Sequence, residues 1–99
     1  ADVVARFGGE EFVVAFSGIG PLDVRLTVER IISAVRNHDF VFKGQRLPLT
    51  VSAGVAGIED LGGAPDSPDP IIGLADERLY AAKQAGRDCI VDASGVSRI

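Results

Sequence analysis

The stretch Arg6-Phe7-Gly8-Gly9-Glu10-Glu11-Phe12 joins two glycines to two carboxylates, and β-branched and aromatic residues flank it on both sides. Such flanks are typical of strands. Gly-Gly between two strands favours a two-residue hairpin loop, because both central residues of a type I′ turn need positive φ. The sequence therefore predicts a β-hairpin that turns at Gly8-Gly9.

The same residues predict a binding site at the hairpin tip. Because Gly8 and Gly9 carry no side chains, a phosphate group can approach their backbone closely. Glu10 and Glu11 place hard oxygen ligands beside that opening, which suits Mg²⁺ bound jointly with the phosphates of a nucleotide. The alternative is an ordinary hairpin with a solvated acidic end.

Hydrophobic periodicity and turn residues predict the remaining elements. Apolar residues at Val24, Val28, Ile31 and Val35 indicate one face of an amphipathic helix. The predicted elements are a helix over 22–37, a hairpin over 40–47, a central strand over 49–56, a surface loop over 59–70, a helix that starts at Ser67-Pro68 or Asp69-Pro70 and stops at Gly86, and a short strand over 88–92.

Composition is that of one folded domain with a modest core: 99 residues, 46% hydrophobic and 24% charged. A net charge of −4 with scattered basic residues argues against a nucleic-acid binder. Cys89 is the only cysteine, so an intrachain disulfide is excluded, and a buried position is expected for it. No apolar run reaches the roughly 20 residues that span a bilayer. We expect a cytoplasmic chain without membrane contact.

Three segments together resemble the GGDEF family, the diguanylate cyclases. They are the hairpin in its GGEEF form, the strand Leu49-Thr50-Val51-Ser52-Ala53-Gly54-Val55-Ala56, and the segment 75–88 with its ending Ala82-Lys83-Gln84-Ala85-Gly86-Arg87. The resemblance runs from Asp2 to about Val91. It implies an α/β fold, an α+β sandwich with a ferredoxin-like, nucleotidyl-cyclase-type mixed sheet and helices packed on it.

The resemblance also implies an activity. Diguanylate cyclases join two GTP molecules, one on each of two facing domains of a homodimer, into the bacterial second messenger cyclic di-GMP. A divalent metal, Mg²⁺ or Mn²⁺, supports the reaction. The residues that the resemblance assigns are Glu10 and Glu11 for catalysis and metal binding, and Gly8, Gly9, Lys83 and Arg87 for substrate binding.

Lys83 and Arg87 have a simpler interpretation as well, because cations at a helix C-terminus complement the helix dipole. Asp88 departs from the family pattern, which usually has Asn after this arginine. An acid beside a phosphate-binding arginine is expected to weaken nucleotide affinity.

The sequence contains part of a possible product-inhibition site. Many family members bind cyclic di-GMP through an Arg-x-x-Asp motif before the hairpin and an arginine on the next helix. Asp2 matches the aspartate of that motif and Arg30 the helix arginine, whereas the arginine of the motif would precede Ala1. The alternatives are a strand-start aspartate and a solvated helix arginine.

The family domain is longer at its N-terminus, where it has a further strand with a metal-binding aspartate, and two helices. We therefore expect residues 1–92 to be the C-terminal portion of one GGDEF domain, inactive in isolation, and residues 93–99 to be a tail. The absent strand lies between the strands 12–16 and 49–56 in the family, so those strands are expected to pair directly or to recruit a second copy. The alternative functions are a catalytically silent domain that binds cyclic di-GMP or GTP, and a structural fragment.

Overall fold

The computed structural model describes residues 2–8, 11–47, 49–62, 67 and 69–98, and of residues 2–8 and 47 it describes the backbone alone. In chain order the elements of this part are β1 (Asp2–Gly8), β2 (Glu11–Ser17), α1 (Pro21–Asn37), β3 (Phe40–Phe42), β4 (Gln45–Leu47), β5 (Ser52–Gly57), a 3₁₀ helix (Ile58–Leu61), α2 (Asp69–Gln84), β6 (Ile90–Asp92) and β7 (Gly95–Ser97). None of the described helices is long and apolar enough to cross a membrane.

Five strands form one mixed sheet in the order β1-β2-β5-β6-β7, and β3 and β4 form a separate hairpin. The inner pairs, β2 with β5 and β5 with β6, are parallel, whereas the outer pairs are antiparallel. β2 pairs with β5 from Glu11 opposite Ser52 to Phe16 opposite Gly57. The predicted mixed sheet with packed helices is confirmed, and the two long strands pair directly, one of the two expected arrangements.

The hairpin of β1 and β2 differs from the prediction by one residue. Gly8 is the last residue of β1 and pairs with Glu11, whereas residues 9 and 10 lie outside the described residues. The predicted turn at Gly8-Gly9 is wrong in register. Pairing of apolar positions sets the register of a strand pair, and here Phe7 stands opposite Phe12.

The two helices cover opposite faces of the sheet. Successive side chains of a strand point to opposite faces, and β2 contributes to two separate clusters. Phe12, Val14 and Phe16 pack with α1, whereas Val13 and Ala15 pack with α2. β2 is therefore buried on both faces, which explains its continuous apolar run.

α2 lies directly on β5 because Gly54 has no side chain. A Cβ added at Gly54 would lie 2.1 Å from the carbonyl oxygen of Ala75 and 2.3 Å from the backbone nitrogen of Leu79. These neighbours are backbone atoms of α2, which cannot move aside as a flexible side chain could. This close approach fixes the position of the middle of α2 relative to the sheet.

Gly54→Ala is therefore expected to lower the free energy of unfolding by about 3 kcal/mol, the upper end of the usual cost of overpacking. Gly73→Ala in the same helix is the matched control, since a Cβ there meets nothing within 4 Å. It should stabilise the protein by roughly 0.8–1.0 kcal/mol, the difference in helix propensity. Urea unfolding of both variants makes the measurement. Wild-type stability of Gly54→Ala would contradict the close approach.

The last third of the chain differs from the prediction in one detail. α2 begins at Asp69, the second of the two predicted starts, and the backbone nitrogen of Asp69 donates to Ser67 Oγ over 3.4 Å. Part of the segment interpreted as a tail forms β7, which pairs antiparallel with β6. Cys89 is buried, as expected.

Candidate functional site

Glu11 is the first residue of β2, at the edge of the sheet where the hairpin connection begins. Alternation along β2 places its side chain on the face that Val13 and Ala15 share, which α2 covers. Glu11 also lies opposite Ser52, the first residue of β5. The C-terminal end of α2 reaches this edge, so a carboxylate and the cations of that helix end meet there.

A Schellman cap shapes the end of α2. The backbone nitrogen of Gly86 donates to the carbonyl oxygen of Lys83, and that of Arg87 donates to the carbonyl oxygen of Ala82 over 2.9 Å. Gly86 has φ of +100°, the positive value that favours glycine. The predicted stop at Gly86 is confirmed. The cap turns the chain sharply and brings Arg87 back toward the sheet.

Both cations converge on Glu11. Lys83 Nζ lies 2.5 Å from Glu11 Oε2, and Arg87 Nη1 lies 3.5 Å from Glu11 Oε1. The hydrogen bond from Lys83 is the main reason why the pKa of Glu11 falls below its ordinary value of 4.5. The positive charges of Lys83 and Arg87 add to the effect and burial opposes it. These cations therefore do more than complement a helix dipole, because they bind a specific anion.

We expect the pKa of Glu11, measured by NMR titration of its carboxyl carbon, to lie below 4.5 and to rise in Lys83→Gln. Because the pKa is lowered by folding, the pair stabilises the fold above pH 4.5, and that contribution is lost as the pH falls through the lowered pKa. Lys43→Gln, on the separate β3–β4 hairpin, is the control. An unchanged pKa in Lys83→Gln would show that this contact does not form in solution.

The turn that follows α2 is tied to the sheet and to α1 by Asp88. Its backbone nitrogen donates to Ser52 Oγ over 3.0 Å, and its Oδ1 accepts from Arg36 Nη2 over 2.5 Å. Arg36 belongs to the last turn of α1. The Asp88 carboxylate is therefore paired with Arg36, and the expected weakening of nucleotide affinity by Asp88 stays a prediction.

Arg98 adds a further cation to the same turn. Its Nη1 donates to the carbonyl oxygen of Arg87 over 2.8 Å, and its Nη2 donates to that of Ala85. Four cations thus surround two carboxylates at this edge of the described chain: Lys83, Arg87, Arg36 and Arg98 with Glu11 and Asp88. The local excess of positive charge is suited to an anion, although the whole chain is acidic.

Most of the chain matches one known protein family. Residues 1–89 match the family described as "Diguanylate cyclase, GGDEF domain". The chain belongs to the GGDEF family. This GGDEF chain is 41% identical to Diguanylate cyclase DgcP of Pseudomonas aeruginosa over 88 residues. The matched region is 89% of the chain and 12% of that protein.

Two further relatives match the same region. Diguanylate cyclase A of Treponema denticola is 35% identical over 89 residues, 89% of the chain and 23% of that protein. Response regulator PleD of Caulobacter vibrioides is 34% identical over 90 residues, 91% of the chain and 20% of that protein. The GGDEF chain thus spans less than a quarter of each of these relatives.

Some of the predicted site residues of this GGDEF chain lie outside the described part. Gly9 and Glu10 are among these, and of Gly8 only the backbone is described. Asp2 begins β1 opposite Ser17, and Arg30 is exposed on α1. The structure therefore brings together Glu11, Lys83 and Arg87, whereas the proposed inhibition site stays a prediction.

Three residues of this edge were not singled out by the sequence: Arg36, Ser52 and Arg98. Arg36 lies in the last turn of a helix and Arg98 in a predicted tail, so neither carries a local motif. The contacts of Arg36 and Ser52 with Asp88 join segments 52 and 36 positions apart in the chain, and Arg98 lies beyond residues 1–89 that match the family.

Proposed function

We propose that this chain is the C-terminal portion of a GGDEF domain of a diguanylate cyclase and that the edge of Glu11, Lys83 and Arg87 is its triphosphate site. The observation that carries the proposal is the convergence of Lys83 and Arg87 on one carboxylate. Two cations that bind the two oxygens of a carboxylate can also bind the oxygens of a triphosphate. The curated relatives named diguanylate cyclases support the same activity.

In the proposed reaction the ribose 3′-hydroxyl of one GTP attacks the α-phosphate of the other. A new phosphorus–oxygen bond forms, the bond between the α- and β-phosphates breaks, pyrophosphate leaves and the hydroxyl proton is lost. Two such steps convert two GTP into cyclic di-GMP and two pyrophosphates. The role of Lys83 and Arg87 is to neutralise the charge that develops on the leaving pyrophosphate.

Glu11 has two roles in this proposal. While it binds Lys83 and Arg87 it takes the place of a phosphate group. When phosphate oxygens replace it on these cations, its carboxylate becomes available as an oxygen ligand, and a glutamate with the ordinary pKa of 4.5 is charged at neutral pH.

A divalent metal fits this kind of site. No group of three or more His, Cys, Asp or Glu side chains within the described ranges could hold a metal ion. Mg²⁺ commonly needs only one or two protein carboxylates, because substrate phosphates and waters complete its shell. Glu11 and, from the sequence, Glu10 are the carboxylates that would hold Mg²⁺ or Mn²⁺. The metal would polarise the reacting phosphate.

The remaining parts of the proposal follow from the family. Each of two facing domains in a homodimer holds one GTP, and Gly8 and Gly9 lie against the nucleotide. Asp2 and Arg30 contribute to a product-inhibition site for cyclic di-GMP. A cytoplasmic location, where GTP is available, completes the proposal.

A second candidate is a domain that binds GTP or cyclic di-GMP without turning it over. It is favoured by the ion pairs of Glu11, because a carboxylate that stays on Lys83 and Arg87 is not available to a metal.

Product analysis of the full-length protein with GTP and Mg²⁺ separates the two. The diguanylate cyclase converts GTP to cyclic di-GMP and pyrophosphate, whereas the binding domain retains GTP affinity without product. A protein that neither binds nor consumes GTP would contradict both.

A further inference from the structure

The turn that carries Arg87 has an unusual backbone conformation. Gly86, Arg87 and Asp88 have φ of +100°, +66° and +52° in succession. Non-glycine residues rarely adopt such values, although Asp and Asn do so more readily than most. Two consecutive left-handed residues with side chains persist only where surrounding contacts determine the conformation. The conformation of this turn therefore depends on the contacts that hold it.

Side chains from three separate segments of the chain hold the turn. Ser52 at the start of β5 accepts from the backbone nitrogen of Asp88 over 3.0 Å, and Arg36 at the end of α1 donates to the Asp88 carboxylate over 2.5 Å. Arg98, after β7, donates to the carbonyl oxygen of Arg87 over 2.8 Å. Because Arg98 binds only the backbone of Arg87, the side chain of Arg87 can contact Glu11.

The ion pair of Arg36 and Asp88 differs from an ordinary surface pair. The Arg36 and Asp88 side chains are 31% and 39% exposed, whereas those of the Arg46–Asp39 pair on the β3–β4 hairpin are 69% and 71% exposed. A fully exposed pair contributes little to stability. Asp88 follows Arg87 directly, so its charge acts on the same anion that Arg87 would bind.

We propose that Arg36 is a positioning residue for the phosphate site, acting through Asp88. It fixes the turn 86–88 in the conformation that directs Arg87 to Glu11, and it cancels the negative charge of Asp88 where a phosphate would otherwise be repelled. The inference rests on the proposed function of this edge. It extends that function to α1 and to a residue pair that no local motif indicates.

The two roles of Arg36 predict that the loss of Arg36 lowers phosphate affinity more than the loss of the Asp88 charge does. Arg36→Gln leaves an unpaired carboxylate beside Arg87, so affinity for a phosphate ligand should fall about tenfold, within the range measured for coupled neighbours. Asp88→Asn keeps a side chain that tolerates the left-handed conformation and accepts a hydrogen bond from Arg36, so affinity should stay within about threefold. Arg36→Gln combined with Asp88→Asn removes the unpaired charge and should recover most of the loss.

The experiment is calorimetric titration of the full-length protein with inorganic pyrophosphate and with GTP, alongside thermal unfolding of each variant. Arg46→Gln and Asp39→Asn, which break the exposed hairpin pair, are the controls and should leave affinity unchanged. If Arg36→Gln does not fold, Asp88→Ala takes its place, since Ala both removes the ion pair and disfavours the left-handed conformation, and it too should bind about tenfold more weakly.

Recovery of affinity in the double variant supports the inference that Arg36 acts through the charge of Asp88, since a purely structural role of Arg36 would change thermal unfolding and leave affinity intact. Unchanged affinity in Arg36→Gln would overturn the inference, and so would a double variant as weak as Arg36→Gln. Where Arg36→Gln does not fold, unchanged affinity in Asp88→Ala would overturn it. A wild-type protein that binds neither pyrophosphate nor GTP would instead overturn the proposed function on which it rests.

Discussion

Glu10→Gln in the full-length protein is expected to lower cyclic di-GMP synthesis about a thousandfold while leaving the fold intact. The amide keeps the shape of the side chain but loses the charge that a joint metal and phosphate site requires. Stabilisation of transition-state charge at such a site amounts to several kcal/mol, and each 1.36 kcal/mol corresponds to about tenfold in rate. Chromatographic assay of GTP turnover measures the effect.

The control for this prediction is Glu77→Gln, an exposed acid on α2 away from the hairpin. It removes the same charge from the chain and should leave turnover unchanged. Thermal unfolding of both variants should match that of the wild type. Substantial product from Glu10→Gln would remove Glu10 from the catalytic residues and favour Glu11 as the main carboxylate.

Lys83→Ala and Arg87→Ala are each expected to weaken GTP binding by about 10- to 150-fold. A hydrogen bond to a charged group contributes about 1.5–3 kcal/mol, which corresponds to that range. The loss should come mainly from the triphosphate, so inorganic pyrophosphate should lose affinity to a similar degree. Calorimetric titration with both ligands provides the measurement.

Arg46→Ala, which removes an exposed cation of the β3–β4 hairpin, controls for the change in net charge. Since Lys83 and Arg87 bind the same carboxylate, their effects should not add fully in the double variant. Unchanged GTP affinity in both single variants would mean that these cations serve only the helix terminus and Glu11.

Elements with a strong local signal were predictable from the sequence. α1 runs over Pro21–Asn37, almost as predicted, because its apolar residues recur at helical spacing, and Gly86 ends α2 because the cap needs positive φ. The turn of the first hairpin was misplaced by one residue. Glycine propensity favoured Gly8-Gly9, whereas the pairing of apolar residues across the two strands decides the register.

The contacts of the site were only partly predictable. The resemblance pointed to Glu11, Lys83 and Arg87, which the structure brings together. Arg36 and Asp88 are 52 positions apart in the chain, and they are neighbours only because the end of α1 and the turn after α2 meet in the folded chain. β7 was missed for a similar reason, because a three-residue strand forms only where β6 offers a partner.

A crystal structure of the full-length protein with Mg²⁺ and a GTP analogue that cannot be cleaved between the α- and β-phosphates would show whether Lys83 and Arg87 bind the triphosphate. We expect phosphate oxygens within about 3.2 Å of Lys83 Nζ and the Arg87 guanidinium, with the Glu11 carboxylate released from these cations. An analogue bound elsewhere, with Glu11 still paired to Lys83 and Arg87, would contradict this expectation.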